Sequence, residues 1–466
     1  MSSNLAVNPY LVIGVIEIAL ALIVGCHALL YKRDVRSSTF WILLILFVPW
    51  LGMLLYFLFG VNRIQREAPR LSGTVNACPE PGGVSGMDQL LPPPADCWQF
   101  DVLENGDAAY PRMLEAIANS NTEVILSTYI FANDRAGAEF IAYLKAACER
   151  GVAVFVLLDG VGIWYSFPPV TWALKKARVP HSVFLPTFAP WSTRFMNLRN
   201  HRKLLVVDRH QVFLGGMNIR EAHMHSLQPK SPITDVHFHL TGELVATLVD
   251  QFTKAWKFAN RGRSVTPHPV ERVEQTERMS KAPTAIRTRV IEDGPDLAVP
   301  RLAALLLVKL SEAKSHIRIV VPYFLPDRVY ISALTTAALR GVRIDVIVPR
   351  KNNLPWMSWA LHATAWQLLE HGVRIFETIG EFDHSKIFVV DNSCAIVGSS
   401  NWDARSFRLN FELNLEVASP DVIRRLNTLI DRKLAGAHEL TCQDVNGRSL
   451  PCQIRDGLAR LFLPVL

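Results

Sequence analysis

Two long apolar runs open the chain. Residues 10–30 carry a single carboxylate, Glu17, and residues 40–59 carry no charge, so each is long enough as a helix to cross a hydrocarbon core of about 30 Å. Between them Lys32, Arg33 and Arg36 supply charge for a headgroup region. The pattern predicts an N-terminal transmembrane helical hairpin within residues 1–66. No Lys or Arg precedes the first run and a second run follows directly, which disfavours a cleaved signal peptide. Arg63, Arg66 and Arg70 balance the basic loop, leaving open which side of a membrane the remainder faces.

Polarity then changes character. Residues 67–96 are rich in Pro and Gly, including Pro79, Pro81, Gly82, Gly83 and Pro92 to Pro94, and read as a tether. From residue 97 onward, short apolar strands alternate with helix-length segments, the pattern of an α/β domain. The order of elements appears twice. In the first half, strands are predicted over 124–131, 151–159 and 201–208; in the second, over 317–324, 341–348 and 384–391. Two units are too few for a solenoid, so the expectation is two half-domains, 97–262 and 284–466, related by a pseudo-twofold axis. The charged, Pro-containing stretch 261–283 would join them.

The last strand of each half carries the same chemistry. His201-x-Lys203-x-x-x-x-Asp208 and His384-x-Lys386-x-x-x-x-Asp391 share one spacing, and each is followed by a small-residue turn ending in Asn: Gly215-Gly216-Met217-Asn218 and Gly398-Ser399-Ser400-Asn401. With fourteen histidines, a single chance match is expected in roughly a few per cent of such chains, and a double match far less often. Residues two apart on a strand share a face, so each His is expected to point with its Lys. Glycines let backbone approach a ligand, and Asn offers amide donors to non-bridging oxygens. Two Lys and two Asn around one phosphodiester would stabilise the charge of a five-coordinate transition state, while one imidazole attacks phosphorus and the other protonates the leaving alcohol.

Composition narrows this only modestly. Half of the residues are hydrophobic and the net charge is +7, favouring a membrane-associated protein with anionic partners. Seven scattered cysteines without a CxxC pair argue against a disulfide scaffold or zinc finger; Cys442 and Cys452 are spaced to allow one bridge. His223 with His225, and His237 with His239, alternate as metal ligands can, against the plainer reading of histidines flanking a site. Cys394 reads as a core residue. Trp164, Tyr165 and Phe167, and the aromatic stretch 188–191, suit either lipid headgroups or a core, and Tyr129 and Tyr323 end corresponding strands where they frame a pocket or lie buried.

The paired motifs resemble those of the phospholipase D superfamily from about Asp96 onward. The segments 199–203, 215–219, 384–386 and 398–406, with Asn410-Phe411-Glu412, resemble the bacterial cardiolipin synthases, as does the anchor segment 49–60. The resemblance implies two phospholipase D-like half-domains and a metal-free, cofactor-free phosphatidyl transfer at a bacterial inner membrane, multi-pass. One histidine would form a phosphatidyl-histidine and the other would act as general acid and then base; His201 is assigned as nucleophile and His384 as acid. Lys203, Lys386, Asn218 and Asn401 would hold the phosphate, with Asp235 and Glu412 behind the imidazoles. Asp208 and Asp391 complete the motifs, although an Asp ending a strand also caps turns. The implied reaction joins two phosphatidylglycerols into cardiolipin and glycerol, with anionic lipids and not nucleic acid as partners. A hydrolytic phospholipase D or nuclease, and an inactive lipid-binding scaffold, are the competing readings.

Overall fold

The computed structural model describes residues 9–32, 35–60, 90–186, 198–261, 285–297 and 299–461. Most of the tether (67–89), nearly all of the joining stretch (262–283) and the aromatics at 188–191 lie outside these. The N-terminal helices belong to one structural unit and the strand-bearing chain to another.

In the N-terminal unit, α1 (Pro9–Tyr31) is the one helix among the described residues long and apolar enough to cross a membrane. The second apolar run departs from expectation. It divides into α2 (Val35–Phe47), α3 (Pro49–Leu55) and a π-turn over Tyr56–Gly60. Pro49 lacks an amide hydrogen and its ring crowds the preceding turn, so the helix breaks at Val48. At 1.5 Å per residue, α2 reaches only about 20 Å, short of a bilayer core. Among the described residues the structure thus shows one helix of full span length, α1, in place of the expected pair of unbroken spans. Small residues let the pieces meet: Ala21, Ala28, Ile45 and Tyr56 are buried together, and His27 Nδ1 hydrogen-bonds the Tyr56 hydroxyl at 2.9 Å.

The second unit is a mixed α/β fold. Its first half contributes β1 (Ala95–Glu104), β2 (Glu123–Thr128), β3 (Ala153–Asp159), β4 (His181–Phe184), β5 (Arg199–Asn200), β6 (Leu204–Val207), β7 (Gln211–Gly215), β8 (Ile233–Thr234) and β9 (Val236–Gly242). The second half contributes β10 (Ile286–Asp293), β11 (His316–Val320), β12 (Arg343–Pro349), β13 (Arg374–Thr378), β14 (Phe382–Asp383), β15 (Ile387–Val390), β16 (Cys394–Gly398), β17 (Asn410–Ala418) and β18 (Ala437–Leu440). One sheet runs β18-β13-β12-β11-β15-β16-β17-β10-β1-β9-β7-β6-β2-β3-β4. Apart from β18 at one edge, corresponding strands follow in the same order from either end, with antiparallel β1 and β10 at the centre.

Each half builds its own core by the same rule. Strands β2 and β3 are apolar on both faces because helices cover a parallel pair, and β11 with β12 repeats this. Val124, Leu126, Val156 and Leu158 pack against Phe140 and Leu144 of the crossover helix Arg135–Glu149. In the second half Ile317, Ile319, Val346 and Val348 pack against Leu334 and Ala337 of helix Arg328–Leu339. Asp134 and Asp327 cap these helices by accepting from Gly137 and Val329 amides. Cys394 is buried in the second core, and Cys442 and Cys452 are free thiols.

Both motif aspartates turn out to be joints of this framework. Asp208 accepts from the amides of Asn121, Thr122 and Glu123 and from the Thr122 hydroxyl, at 2.8–3.0 Å. Asp391 takes the amides of Lys314, Ser315 and His316 and the Ser315 hydroxyl at 2.7–2.9 Å. Each sits with positive φ just past its strand and ties it to the segment entering β2 or β11. The structural task open to such residues is the one seen here: these carboxylates take backbone donors, which hold them below the usual carboxylate range against the opposing effect of burial. Asp208→Ala is expected to lower stability by about 1–3 kcal/mol, read by denaturant unfolding in detergent, while the folded fraction keeps its turnover. Turnover lost from fully folded variant would return Asp208 to the chemistry.

Candidate active site

The two motif histidines lie just ahead of strands β6 and β15, not on them as the alternation predicts. Their backbones are taken by the opposite half. His201 N–H donates to Phe411 O of β17 at 3.0 Å, continuing the short parallel pairing of β5 with β17. His384 N–H donates to Thr234 O of β8 at 2.7 Å, continuing that of β14 with β8. Each pairing delivers a carboxylate from the other half to the ring behind it.

His201 Nδ1 lies 3.0 Å from both oxygens of Glu412, and His384 Nδ1 lies 2.8 Å from Asp235 Oδ2. With Nδ1 engaged, Nε2 is the ring atom left for a ligand. Lys203 and Lys386 fold back, each ammonium donating to its own histidine's carbonyl at 2.6 and 2.5 Å. All four side chains are buried, and each imidazole feels the charge of both lysines. The chain thus brings six predicted residues together where its halves meet: His201, Lys203, His384, Lys386, Asp235 and Glu412.

Both asparagines are buried in the turns where they were expected. Asn218 Oδ1 accepts from Ile130 N–H at 3.0 Å, which fixes the amide's orientation. Asn401 Oδ1 has no hydrogen-bond partner among the described residues. Tyr129 and Tyr323 do frame the site, their rings 5.1 and 6.3 Å from His201 and His384. The four histidines that alternate in pairs do not converge on one point: His225 pairs with Glu381, His239 stacks on Phe213 and pairs with Asp101, and His223 and His237 lie buried near Asp235.

The halves differ behind the rings. Ser399 Oγ donates to Glu412 at 2.5 Å and Asn410 Nδ2 does so at 3.1 Å. At the matching position of the first half stands Gly216, which has no side-chain donor, and among the described residues Asp235 receives Val236 N–H (2.7 Å) beside the imidazole. A methyl group at Gly216 would lie 2.6 Å from Asp235 Oδ1, so this position must be bare. Ser399 and Asn410 were not singled out from sequence; their signal was adjacency to the second turn and to Glu412.

Burial dominates the electrostatics. It pulls His201 down to about 4, against the attraction of Glu412, and His384 well below its usual value with help from both lysines. Lys386 falls to about 8 and Lys203 well below an ordinary lysine. Burial raises Asp235, whereas His201, Lys203 and Ser399 overcome burial at Glu412 and keep it ionised. Burial thus holds both imidazoles in the neutral form at pH 7.

Sequence comparison agrees with this arrangement. The family model described as the cardiolipin synthase, phospholipase D-like domain matches residues 113–256 and 306–434. The chain belongs to that family. A second model, the phospholipase D-nuclease N-terminal region, matches residues 18–60. Cardiolipin synthase A of Pseudomonas fluorescens (strain SBW25) is 28% identical over 471 residues, covering 96% of each chain. The major cardiolipin synthase ClsA of Bacillus subtilis (strain 168) is 27% identical, covering 93% of this chain and 95% of that protein. The crystal structure of phosphatidylserine synthase from Haemophilus influenzae Rd KW20 shares the fold at a TM-score of 0.63 and 15% identity, covering 82% of this chain and 99% of that one. The cardiolipin synthase relationship makes this chain an enzyme of the phospholipase D type, a membrane-associated phosphatidyltransferase.

Two outcomes follow from the geometry. Gly216→Ala should displace Asp235 and lower kcat by roughly ten- to a hundredfold while the protein stays folded; unchanged kcat would show the Asp235 contact to be dispensable. His201 has its folded pKa, about 4, below its unfolded value of 6.5, so its contribution to stability is intact above 6.5 and is lost as pH falls toward 4. Unfolding measured at pH 7 and 5 should show a native loss larger than that of His201→Gln by on the order of 1–2 kcal/mol, and equal losses would refute a neutral buried ring.

Proposed function

We propose that this cardiolipin synthase family member joins two phosphatidylglycerols, releasing glycerol, through a phosphatidyl-histidine intermediate. The observation that carries the reading is the crossed arrangement, in which each neutral imidazole is backed by a carboxylate of the other half and faces a shared pair of lysines. His201 Nε2 attacks phosphorus of the first lipid, and the bond to glycerol breaks as His384 donates a proton to the departing oxygen. The bound phosphodiester anion favours the protonated form of His384 that this step needs. A hydroxyl of the second phosphatidylglycerol then gives its proton back to His384 and attacks phosphorus, breaking the bond to His201. No nucleotide is consumed, because the phosphorus–nitrogen bond of the intermediate retains the free energy of the ester it replaced for the second transfer.

The richer hydrogen bonding of Glu412 supports His201 as nucleophile, since a phosphorylated imidazole carries positive charge that an ionised carboxylate stabilises. Lys203, Lys386 and the amides of Asn218 and Asn401 hold the non-bridging oxygens. The half-domains are taken as 97–262 and 284–466 about a pseudo-twofold axis, with α1 crossing a bacterial inner membrane and the broken α2–α3 segment lying in the apolar phase beside it.

Mass spectrometry of products from phosphatidylglycerol should show cardiolipin and free glycerol, reduced about a thousandfold or more in His201→Ala and in His384→Ala. Acid-free quenching should place the phosphatidyl group on a peptide containing His201. Phosphatidic acid as the sole product would make the enzyme a hydrolase, and an adduct on His384 would reverse the two roles.

A further inference from the structure

Around the site mouth the chain exposes aromatic side chains that its core does not use. Within nine residues of the segment following β3, Trp164, Tyr165, Phe167 and Trp172 are all exposed, Phe167 by 85% and Trp172 by 65%. The segment is held in place: Asp159 Oδ1 accepts from the amides of Val161 and Gly162, and Ser166 Oγ accepts from Asn133 N–H. It is joined to the chemistry by contact, since Tyr165 lies 6.0 Å from Tyr129, the ring that flanks His201. The second half presents its equivalent segment, after β12, in the same relation. There Tyr323, beside His384, donates its hydroxyl to Asn353 Oδ1 at 2.7 Å, three residues before exposed Trp356. Lys175, Lys176 and Lys351 are exposed on the same two segments.

We infer that these two segments form a docking rim that enters the interface of an anionic bilayer and brings phosphatidylglycerol headgroups to the paired histidines. Trp and Tyr favour the headgroup boundary, an exposed Phe gains by reaching the acyl region, and lysines beside them complement anionic lipid. The occupant is a lipid surface: exposed rings and exposed lysines share the two segments that touch the tyrosines beside the histidines, where a soluble phosphodiester substrate would have no use for exposed Phe167. The inference rests on the lipid-substrate reading above.

The test uses the full chain reconstituted into phosphatidylglycerol vesicles with plain or acyl-brominated lipid, bromine quenching tryptophan emission on contact. The emission that disappears on Trp164→Phe, Trp172→Phe and Trp356→Phe together should belong to the quenched part. In the same vesicles Trp164→Ala with Phe167→Ala should lower kcat/KM about tenfold. Leu339→Ala should leave it unchanged, because that exposed residue ends a helix running away from the site. If the emission lost is unquenched, or kcat/KM is unaltered by the double variant, the rim stands in water and the inference falls, even where the native chain makes cardiolipin. Quenched rim emission in a chain that makes no cardiolipin would uphold the rim and overturn the product assignment.

Discussion

The structure depends on an exchange of carboxylates between its halves. Glu412 of the second half orients His201 of the first, and Asp235 of the first orients His384 of the second. Because each donor strand also takes the backbone amide of the histidine it serves, ring and carboxylate are positioned by one pairing and cannot drift apart independently. Neither half contains a complete histidine site. The two halves are joined into one sheet by the antiparallel pairing of β1 with β10 at its centre.

That duplication is broken where it matters. At corresponding places in the two turns stand Gly216 and Ser399, and the difference of one hydroxymethyl group changes the carboxylate behind the ring. Glu412 collects donors from Ser399, Asn410 and His201 and remains charged; Asp235, sterically pressed against a bare glycine, is drawn toward the protonated form by burial. Two chemically identical motifs thereby receive unequal environments, one backed by a carboxylate held ionised and the other by one pushed toward its protonated form.

Most of the framework was legible in the chain because its signals are local. The doubled His-x-Lys spacing, the small-residue turns and the apolar strands each declare themselves within a dozen residues, and the repeat made each half a check on the other. What failed was non-local or depended on one residue's backbone. Pro49 splits an apolar run that hydropathy reads as continuous, because hydropathy does not see a missing amide donor. The histidines leave the strands on which alternation places them, since their amides are claimed by β17 and β8 from the far half. Asp208 and Asp391 keep the motif's spacing for a structural reason: from just past the strand each reaches three successive backbone amides. Spacing alone does not separate a joint from a reactant.

The depth of burial explains how such a site favours a transition state over a resting ligand. Two lysines and two imidazoles that are all held below their ordinary proton affinities form a region that gains by acquiring negative charge. A phosphodiester supplies one unit, and the five-coordinate phosphorus of displacement concentrates a second at the same oxygens. Each increment of negative charge strengthens proton binding at the lysines and the imidazoles, so such a region interacts most strongly with the most highly charged species it holds. The acid lability expected of His201 has the same origin, because the burial that disfavours its proton keeps its ring neutral at neutral pH.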